Sequence, residues 1–232
     1  MRNLAVITAR GGSKRIPKKN IKNFNGKPIL EYSIEAALAS GIFSEVMVST
    51  DCEEIANIAR KAGAKVPFFR SPQTADDYAT TGDVLREVLA CYKERGQEFD
   101  YMVCIYPTAP FVTAEKLRQG MDLLMERECA LVMPVVKFSF PPQRAVTIKD
   151  GRLEYKWPEY FNSRSQDLEP FYHDCGQFYC YDIKKFFSAN KTEKIFVPMI
   201  MSELEVQDID TEEDWAIAEI KYRLMLERNS GR

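Results

Sequence analysis

The chain has 232 residues, of which 45% are hydrophobic and 28% charged, and its formal net charge is −2. This length suffices for one α/β domain with a full core and a small added lobe, and the composition is that of an ordinary globular protein. A nearly neutral chain lacks the clustered Lys and Arg that a broad nucleic-acid surface requires. We therefore expect no nucleic-acid partner, and any anion site must be local.

The six cysteines are spread along the chain without a CxxC pair. Such spacings favour neither a disulfide framework nor a zinc site, and reduced core thiols are typical of the cytoplasm. The apolar run at residues 4–7 is too short for a signal peptide or a membrane span. The sequence therefore predicts a cytoplasmic protein without a membrane partner.

Strand and helix patterns alternate over the first two thirds of the chain. In chain order, the sequence predicts strands over residues 4–7, 46–48, 66–69, 101–105 and 130–136, and helices over residues 28–40, 53–62, 81–94 and 115–127. This alternation predicts an α/β fold with a mostly parallel sheet and helices on both faces. Ligands of such sheets bind beyond the carboxyl ends of the strands.

The alternation then gives way to a different kind of segment. An Asp-Gly pair between β-prone flanks predicts a hairpin over residues 146–155. The stretch from about residue 138 to 181 is rich in Pro, Phe and Tyr, and we interpret it as a lobe inserted into a single domain of residues 1–232. A final helix is predicted from about residue 211 to 227.

A cluster of cations and two adjacent glycines lies in the loop after the first predicted strand, within residues 9–20. Glycine lets backbone N–H groups approach an anion, and Arg and Lys supply neutralising charge. The pattern matches neither a Walker A loop nor GxGxxG. From the residues alone it indicates either a triphosphate cradle or a solvated basic loop.

The same loop resembles the signature of the CMP-sugar synthetases, the family that includes N-acetylneuraminate cytidylyltransferase. The matching residues are Ala9, Arg10, Ser13, Lys14, Pro17, Lys19 and Asn20. The resemblance implies that Arg10, Lys14 and Lys19 contact the phosphates of CTP, and that Asn20 helps to position the nucleotide, with Ala9 and Ser13 in the same site. It also implies a Rossmann-like nucleotide-diphospho-sugar transferase fold, Mg²⁺ as cofactor and a homodimer built through the inserted lobe.

Two acidic residues near the C-terminus, Asp208 and Asp210, stand two positions apart. In an extended segment such residues point to the same face, so both can converge on one Mg²⁺, which takes one or two carboxylates with water and phosphate oxygens. The local alternative is a helix cap, because Thr211 and Asp214 fit a capping box; that alternative leaves Asp208 unexplained. The run also resembles the C-terminal metal motif of the family, and the resemblance makes Asp208 and Asp210 the metal ligands.

Two further segments at strand ends resemble the family. Asp51 matches a family feature, but with Glu54 it also fits a helix N-cap, the interpretation that we favour. Residues 70–81 resemble the cytosine-binding stretch, in which the Thr81 hydroxyl and the Ala79 backbone would contact the base. The alternative for this stretch is an ordinary loop and helix cap.

The predicted sugar site contains a departure from the sialate-using relatives, which carry Gln where this chain has Tyr106. The sequence Tyr-Pro-Thr-Ala-Pro-Phe that begins there, and residues 172–179, resemble family members that act on pseudaminic acid. The resemblance implies Tyr106, Gly176 and Gln177 as sugar contacts, and an acidic nine-carbon sugar as the second substrate. His173, the single histidine, is interpreted as a hydrogen-bonded structural residue.

The implied reaction is attack of the anomeric hydroxyl on the α-phosphorus of CTP, with pyrophosphate leaving in line, which depends mainly on positioning and charge neutralisation. Arg10, Lys19 and Asp208 are the predicted catalytic residues: the cations offset charge on pyrophosphate, and Asp208 holds magnesium. No general base is identified.

The sugar carboxylate needs a cation or backbone donors, for which Lys137, Arg144 and Arg164 are candidates. N-acetylneuraminate, legionaminate and Kdo are alternative substrates. A non-catalytic nucleotide-binding module is the alternative of another class; the presence of Lys19, Asp208 and Asp210 argues against it.

Overall fold

The computed structural model describes residues 1–188 and 194–230. The strands are β1 Asn3–Thr8, β2 Asn23–Phe24, β3 Lys27–Pro28, β4 Glu45–Ser49, β5 Tyr101–Ile105, β6 Leu131–Lys137, β7 Val146–Lys149, β8 Arg152–Tyr155, β9 Tyr172–Asp174, β10 Phe178–Asp182 and β11 Phe196–Ile200. The helices are α1 Ile29–Ser40, α2 Glu53–Lys61, α3 Pro72–Ala75, α4 Thr81–Glu94, α5 Ala114–Glu126, α6 Ile183–Phe187 and α7 Glu212–Ser230.

The central sheet orders its strands β11-β6-β10-β5-β1-β4, and β9 pairs with the end of β6. β1 is parallel to β4 and β5, and β11 is parallel to β6. β10 runs antiparallel to both neighbours, β5 and β6. Since β5 and β6 are each antiparallel to β10, they share one direction, and the prediction of a mostly parallel sheet is confirmed.

Helices cover both faces of this sheet, as predicted. Along β1, Ala5 and Ile7 pack into one core with α1, α2 and α5, whereas Leu4 and Val6 pack into a second core with α4. This alternation follows from the two-residue period of a strand, which sends successive side chains to opposite faces. A third core forms where Trp215 of α7 meets Phe24 and Phe111.

The strand predicted over residues 66–69 does not form. Next to it, Lys65 makes an isolated bridge with Met47, with hydrogen bonds from Val48 N to Lys65 O (2.9 Å) and from Lys65 N to Val46 O (2.9 Å). Pro67 lies in the middle of the predicted strand and has no N–H to donate to a ladder. The prediction was therefore wrong for this segment.

The inserted segment contains the predicted hairpin, in which β7 pairs with β8, and every residue of both strands is exposed. The predicted lobe, which ends at residue 181, overlaps a strand of the central sheet. That strand, β10, lies between β5 and β6 and has four buried residues, Phe178 to Tyr181. Their interpretation as core strand residues is confirmed, and the lobe ends before them. β11 had no counterpart in the sequence prediction.

All six cysteines are free thiols, as expected from their spacing. Within residues 1–188 and 194–230, no helix is long and apolar enough to cross a membrane.

Candidate active site

The carboxyl ends of β1, β4 and β5 lie side by side in the sheet. Because β10 is antiparallel to β5, its amino end reaches the same edge. A hydrogen bond from Tyr106 N to Gln177 O, 2.8 Å long, joins the segment after β5 to the segment before β10. One edge of the sheet therefore gathers the basic loop, the Tyr106 segment and the Gly176-Gln177 segment.

A cleft of about 390 Å³ opens at this edge. Its lining includes seven residues predicted to bind nucleotide or sugar: Arg10, Ser13, Lys14, Lys19, Asn20, Thr81 and Tyr106. Ala9 and Ala79 are not among the lining residues. Ala9 is fully buried and its N–H bonds Ser49 O at 2.9 Å, while the Ala79 N–H bonds Asp76 Oδ1 at 2.7 Å, which leaves the Ala79 carbonyl as the backbone group available to a base.

The basic loop is braced from behind by two polar residues. The buried Asn20 donates from Nδ2 to Arg10 O at 2.8 Å, and Asp51 Oδ1 accepts from Gly11 N at 2.7 Å. The interpretation of Asp51 as a helix N-cap was wrong: the N-cap of α2 is Cys52, with no side-chain hydrogen bond. Gly11 permits this close approach, because a Cβ on it would lie 3.0 Å from Cys52 Cβ.

The cations assigned to the triphosphate already have anionic partners from the chain. Arg10 Nη1 lies 2.7 Å from Asp77 Oδ1, and Lys14 bonds the other oxygen of the same carboxylate. These hydrogen bonds, from Lys14 first and Arg10 second, hold the pKa of Asp77 below its usual value. Lys19 Nζ bonds Ile209 O at 2.6 Å and lies 3.4 Å from Asp210 Oδ1.

The acidic pair lines a second cleft of about 380 Å³. Ile209 between the two aspartates is fully buried. Asp210 pairs with Arg15 at 2.7 Å, whereas Asp208 makes no ion pair within the residues that the structure describes. Burial, and next the charge of Asp210, raise the pKa of Asp208, against an opposing effect of Lys19.

This donor set fits a hard divalent cation that keeps most of its ligands from water and substrate. The described part of the chain brings together no group of three or more His, Cys, Asp or Glu that could hold a metal ion. Mg²⁺ commonly binds one or two carboxylates and takes its other ligands from water and phosphate oxygens. Besides burial, the negative charge of Asp210 contributes to the raised pKa of Asp208, and a cation between two such carboxylates would relieve their repulsion. Asp208 and Asp210 would hold it.

The capping alternative for this segment also holds. Asp214 Oδ2 accepts from Thr211 N at 2.8 Å, and Thr211 Oγ1 accepts from Asp214 N at 3.2 Å. This exchange fixes the start of α7, and Asp208 takes no part in it. Likewise Thr80 caps α4 in a capping box with Asp83, which leaves the next residue, Thr81, to line the first cleft.

The three residues predicted to contact the sugar, Tyr106, Gly176 and Gln177, have different surroundings in the structure. The Tyr106 hydroxyl lies 3.4 Å from Thr81 Oγ1, and burial raises its pKa. Gly176 has φ +61°, and a Cβ on it would lie 3.6 Å from Asp208 Oδ1. Gln177 is 1% exposed and lines neither cleft; its Nε2 donates to Glu205 O at 2.6 Å, so its side chain braces the segment that leads to the acidic pair.

Two of the candidates for the sugar carboxylate have different surroundings. Lys137 lines the second cleft with Asp208 and His173, while Arg164 pairs with Asp167 at 2.7 Å, a residue three positions away. His173 packs its ring 4.7 Å from that of Phe138, in keeping with its structural interpretation.

Three carboxylates at the site, Asp51, Asp77 and Asp174, lie in segments that the sequence analysis singled out, but none of the three was assigned the role that its contacts show. Asp174 accepts from Gly176 N at 2.8 Å and from the Tyr179 hydroxyl at 2.6 Å. The usable signal was their position near residues already assigned to the site: Asp51 follows β4, Asp77 lies in the loop between α3 and α4, and Asp174 precedes the Gly176 turn.

The comparisons with known proteins agree with this geometry. A family model described as cytidylyltransferase matches residues 4–150. A pseudaminic acid cytidylyltransferase of Campylobacter jejuni is 40% identical over 97% of each chain, and a CMP-N,N'-diacetyllegionaminic acid synthase of Legionella pneumophila is 34% identical over 94% of this chain and 95% of that protein. The structure of CMP:2-keto-3-deoxy-manno-octonic acid synthetase complexed with CTP aligns over 98% of this chain and 100% of that chain, with a TM-score of 0.69 and 16% identity. That likeness confirms the Rossmann-like fold, and the sequence matches show that the chain belongs to the cytidylyltransferase family of CTP-dependent nucleotidyltransferases.

Proposed function

We propose that this chain transfers CMP from CTP to the anomeric oxygen of pseudaminic acid and releases pyrophosphate, with Mg²⁺ as cofactor. The observation that carries the proposal is the position of Lys19. Its side chain lines the cleft of the basic loop, and its ammonium group bonds Ile209 O and faces Asp210 of the acidic pair. One cation therefore connects a phosphate-binding cleft to a pair of carboxylates, the arrangement that a nucleotidyl transfer needs.

In this reaction the basic loop binds the leaving part of the nucleotide. Arg10 and Lys14 exchange Asp77 for phosphate oxygens, and Lys19 offsets the negative charge that accumulates on pyrophosphate as it departs. The braces from Asn20 and Asp51 hold the loop in place, so that little reorganisation accompanies the reaction. When bound at Asp208 and Asp210, Mg²⁺ supplies further positive charge next to the phosphates.

The sugar enters between Tyr106 and Asp208 in this proposal. A phenol presents one hydroxyl on a bulky apolar ring, whereas the Gln of sialate-using relatives both donates and accepts. A sugar with a methyl group at C9 suits such a wall better than N-acetylneuraminate, whose extra hydroxyl would be left without a partner. The similarity to the Campylobacter jejuni enzyme over 97% of both chains supports the same substrate.

CMP-legionaminate synthesis is the second candidate, since the Legionella pneumophila relative is 34% identical over 94% of this chain. Both sugars are acidic nine-carbon keto sugars, and they differ in stereochemistry.

We further propose that the enzyme acts as a homodimer joined through the inserted lobe. The β7–β8 hairpin exposes large apolar side chains, among them Ile148 at 77% and Leu153 at 69%. Exposed apolar residues on a projecting hairpin are expected to be covered by another protein surface.

The decisive experiment is a product assay with CTP, Mg²⁺ and a panel of pseudaminic acid, legionaminic acid, N-acetylneuraminic acid and Kdo, read by mass spectrometry. We expect CMP-pseudaminate to form fastest at equal sugar concentration. A faster rate with another member of the panel would replace the substrate and leave the cytidylyltransferase activity in place. No CMP-sugar from any member would overturn the proposed function.

A further inference from the structure

Asp174, the last residue of β9, uses both oxygens of its carboxylate within the chain. Oδ1 accepts from Gly176 N at 2.8 Å, and Oδ2 accepts from the Tyr179 hydroxyl at 2.6 Å. Within residues 1–188 and 194–230, this carboxylate forms no ion pair. Both partners are neutral donors that approach from different segments, and a carboxylate can accept from both at once, whereas an amide presents one acceptor atom.

The first partner of Asp174, Gly176, places a backbone turn next to the Asp208 carboxylate. Gly176 adopts φ +61°, and its α-carbon lies so close to the acidic pair that a Cβ would be 3.6 Å from Asp208 Oδ1. The hydrogen bond from Gly176 N to Asp174 closes this turn. The place of the turn against Asp208 therefore depends on Oδ1 of Asp174.

The second partner of Asp174, Tyr179, packs against the ring of Tyr106. Tyr179 is 7% exposed, and its ring centroid lies 5.4 Å from that of Tyr106. Burial raises the pKa of Tyr179, so the phenol stays protonated and donates a hydrogen bond to Asp174. The Tyr106 hydroxyl, on the other side, lies 3.4 Å from Thr81 Oγ1. A continuous row of contacts thus runs from Asp174 to Thr81, the residue assigned to the base: a hydrogen bond to Tyr179, ring packing between Tyr179 and Tyr106, and a polar contact between Tyr106 and Thr81.

We infer that Asp174 is a positioning residue for the sugar side of the site, which acts through Gly176 on the surroundings of Asp208 and through Tyr179 on the phenol of Tyr106. The inference rests on the proposed function, because the sugar lies between Tyr106 and Asp208 only if the chain is a CMP-sugar synthetase. It adds a residue that touches neither substrate but fixes the distance between the two walls of the sugar pocket.

The test compares three variants with the wild type: Asp174→Asn, Tyr179→Phe and the double variant. Asp174→Asn replaces one of the two acceptor oxygens by an NH₂ donor, so we expect KM for the sugar to rise about tenfold, as for loss of one hydrogen bond to a charged group. KM for CTP should stay within about twofold. Because the hydroxyl of Tyr179 acts through its contact with Asp174, we expect the double variant to resemble the worse single variant rather than the product of the two effects.

Asp182→Asn is the matched control. Asp182 lies at the other end of β10, and its Oδ1 accepts from Lys185 N at 2.9 Å, so this variant also loses part of an Asp-to-backbone contact, but away from the site. We expect it to lower the melting temperature without changing either KM.

The inference would be overturned if the sugar KM were unchanged in Asp174→Asn. It would also be overturned if the KM values for sugar and CTP rose together in proportion to a loss of thermal stability, or if the effects of the two substitutions multiplied strictly in the double variant. The kinetics use whichever sugar the wild type converts fastest. An inactive wild type would overturn the proposed function and this inference with it, whereas an active wild type leaves the variants alone to decide on Asp174.

Discussion

Replacing Gly176 by alanine tests the site through two separate quantities, stability and turnover. Gly176 has φ +61°, and the Cβ of an alanine would sit 3.6 Å from Asp208 Oδ1. The left-handed conformation costs a non-glycine residue roughly 1–2 kcal/mol, partly offset by the lower entropy of alanine in the unfolded chain. A net loss of about 1 kcal/mol corresponds to a fall in Tm of roughly 2–4 °C for a chain of this size.

The effect of Gly176→Ala on turnover has a different origin. The new methyl group makes an ordinary contact with the Asp208 carboxylate, but it occupies space beside the oxygen that we assign to Mg²⁺ and the sugar. An apolar group there displaces a water or substrate oxygen without replacing its hydrogen bonds. We therefore expect turnover at saturating CTP to fall by about tenfold or more, which corresponds to an activation barrier higher by roughly 1.4 kcal/mol.

Gly96→Ala is the control for backbone strain alone. Gly96 has φ +69°, and a Cβ on it would meet no atom within 4 Å. Differential scanning fluorimetry should show similar falls in Tm for the two variants, and steady-state assays should show a loss of turnover in Gly176→Ala alone. Equal kinetics in the two variants would refute the position of Gly176 beside the reacting groups.

Three further changes test other parts of the site. Lys19→Met should lower turnover by a factor of about one hundred or more, the usual cost of a lost transition-state contact, whereas Lys18→Met, on the outside of the same loop, should change it less than about twofold; equal losses would favour a solvated basic loop. The pKa of Asp208 is raised in the folded protein, which means that its ionised form destabilises the fold. The free energy of unfolding of the wild type therefore rises as the pH falls through the folded-state pKa of Asp208. In metal-free urea titrations Asp208→Asn should therefore be more stable than wild type at pH 7, by less than about 1 kcal/mol because solvent screens the site, with the gap closing towards acid pH; a gap that widens would contradict this sign. Sedimentation should show a wild-type dimer and a monomer when Ile148 and Leu153 are both changed to Lys, and a monomeric wild type would contradict the proposed interface.

Local signals in the sequence were sufficient for elements whose boundaries are set by their own residues. α4 occupies Thr81–Glu94 and β5 occupies Tyr101–Ile105, the bounds predicted from the alternating helix and strand patterns. The basic loop and the acidic pair could also be recognised, because each matches a compact motif. Their meeting through Lys19 and Asp210 could only be inferred from the family, since the two residues are 191 positions apart.

Features that depend on distant pairing escaped prediction. The place of β10 between β5 and β6 is set by partners more than forty residues away along the chain, and nothing in its own apolar run specifies an antiparallel neighbour. Asp51 fitted a helix cap by local rules, yet it bonds Gly11, forty positions earlier. Short polar side chains beside turns have several local uses, so tertiary contacts decide among them.

In the proposed reaction, the pairing of Asp77 with Arg10 and Lys14 makes nucleotide binding an exchange of anions. A phosphate that reaches the loop replaces a carboxylate that is already bound to the two cations. The free energy gained is therefore the difference between the cation–phosphate and the cation–carboxylate interactions, and not the full attraction between phosphate and two unpaired cations. Singly charged anions of the cell gain almost nothing by such an exchange, whereas a triphosphate brings several charges at once and gains at each contact. The loop is also held near its working shape before the ligand arrives, which reduces the entropy lost on binding. An empty site is thereby kept from collecting singly charged anions in place of its nucleotide.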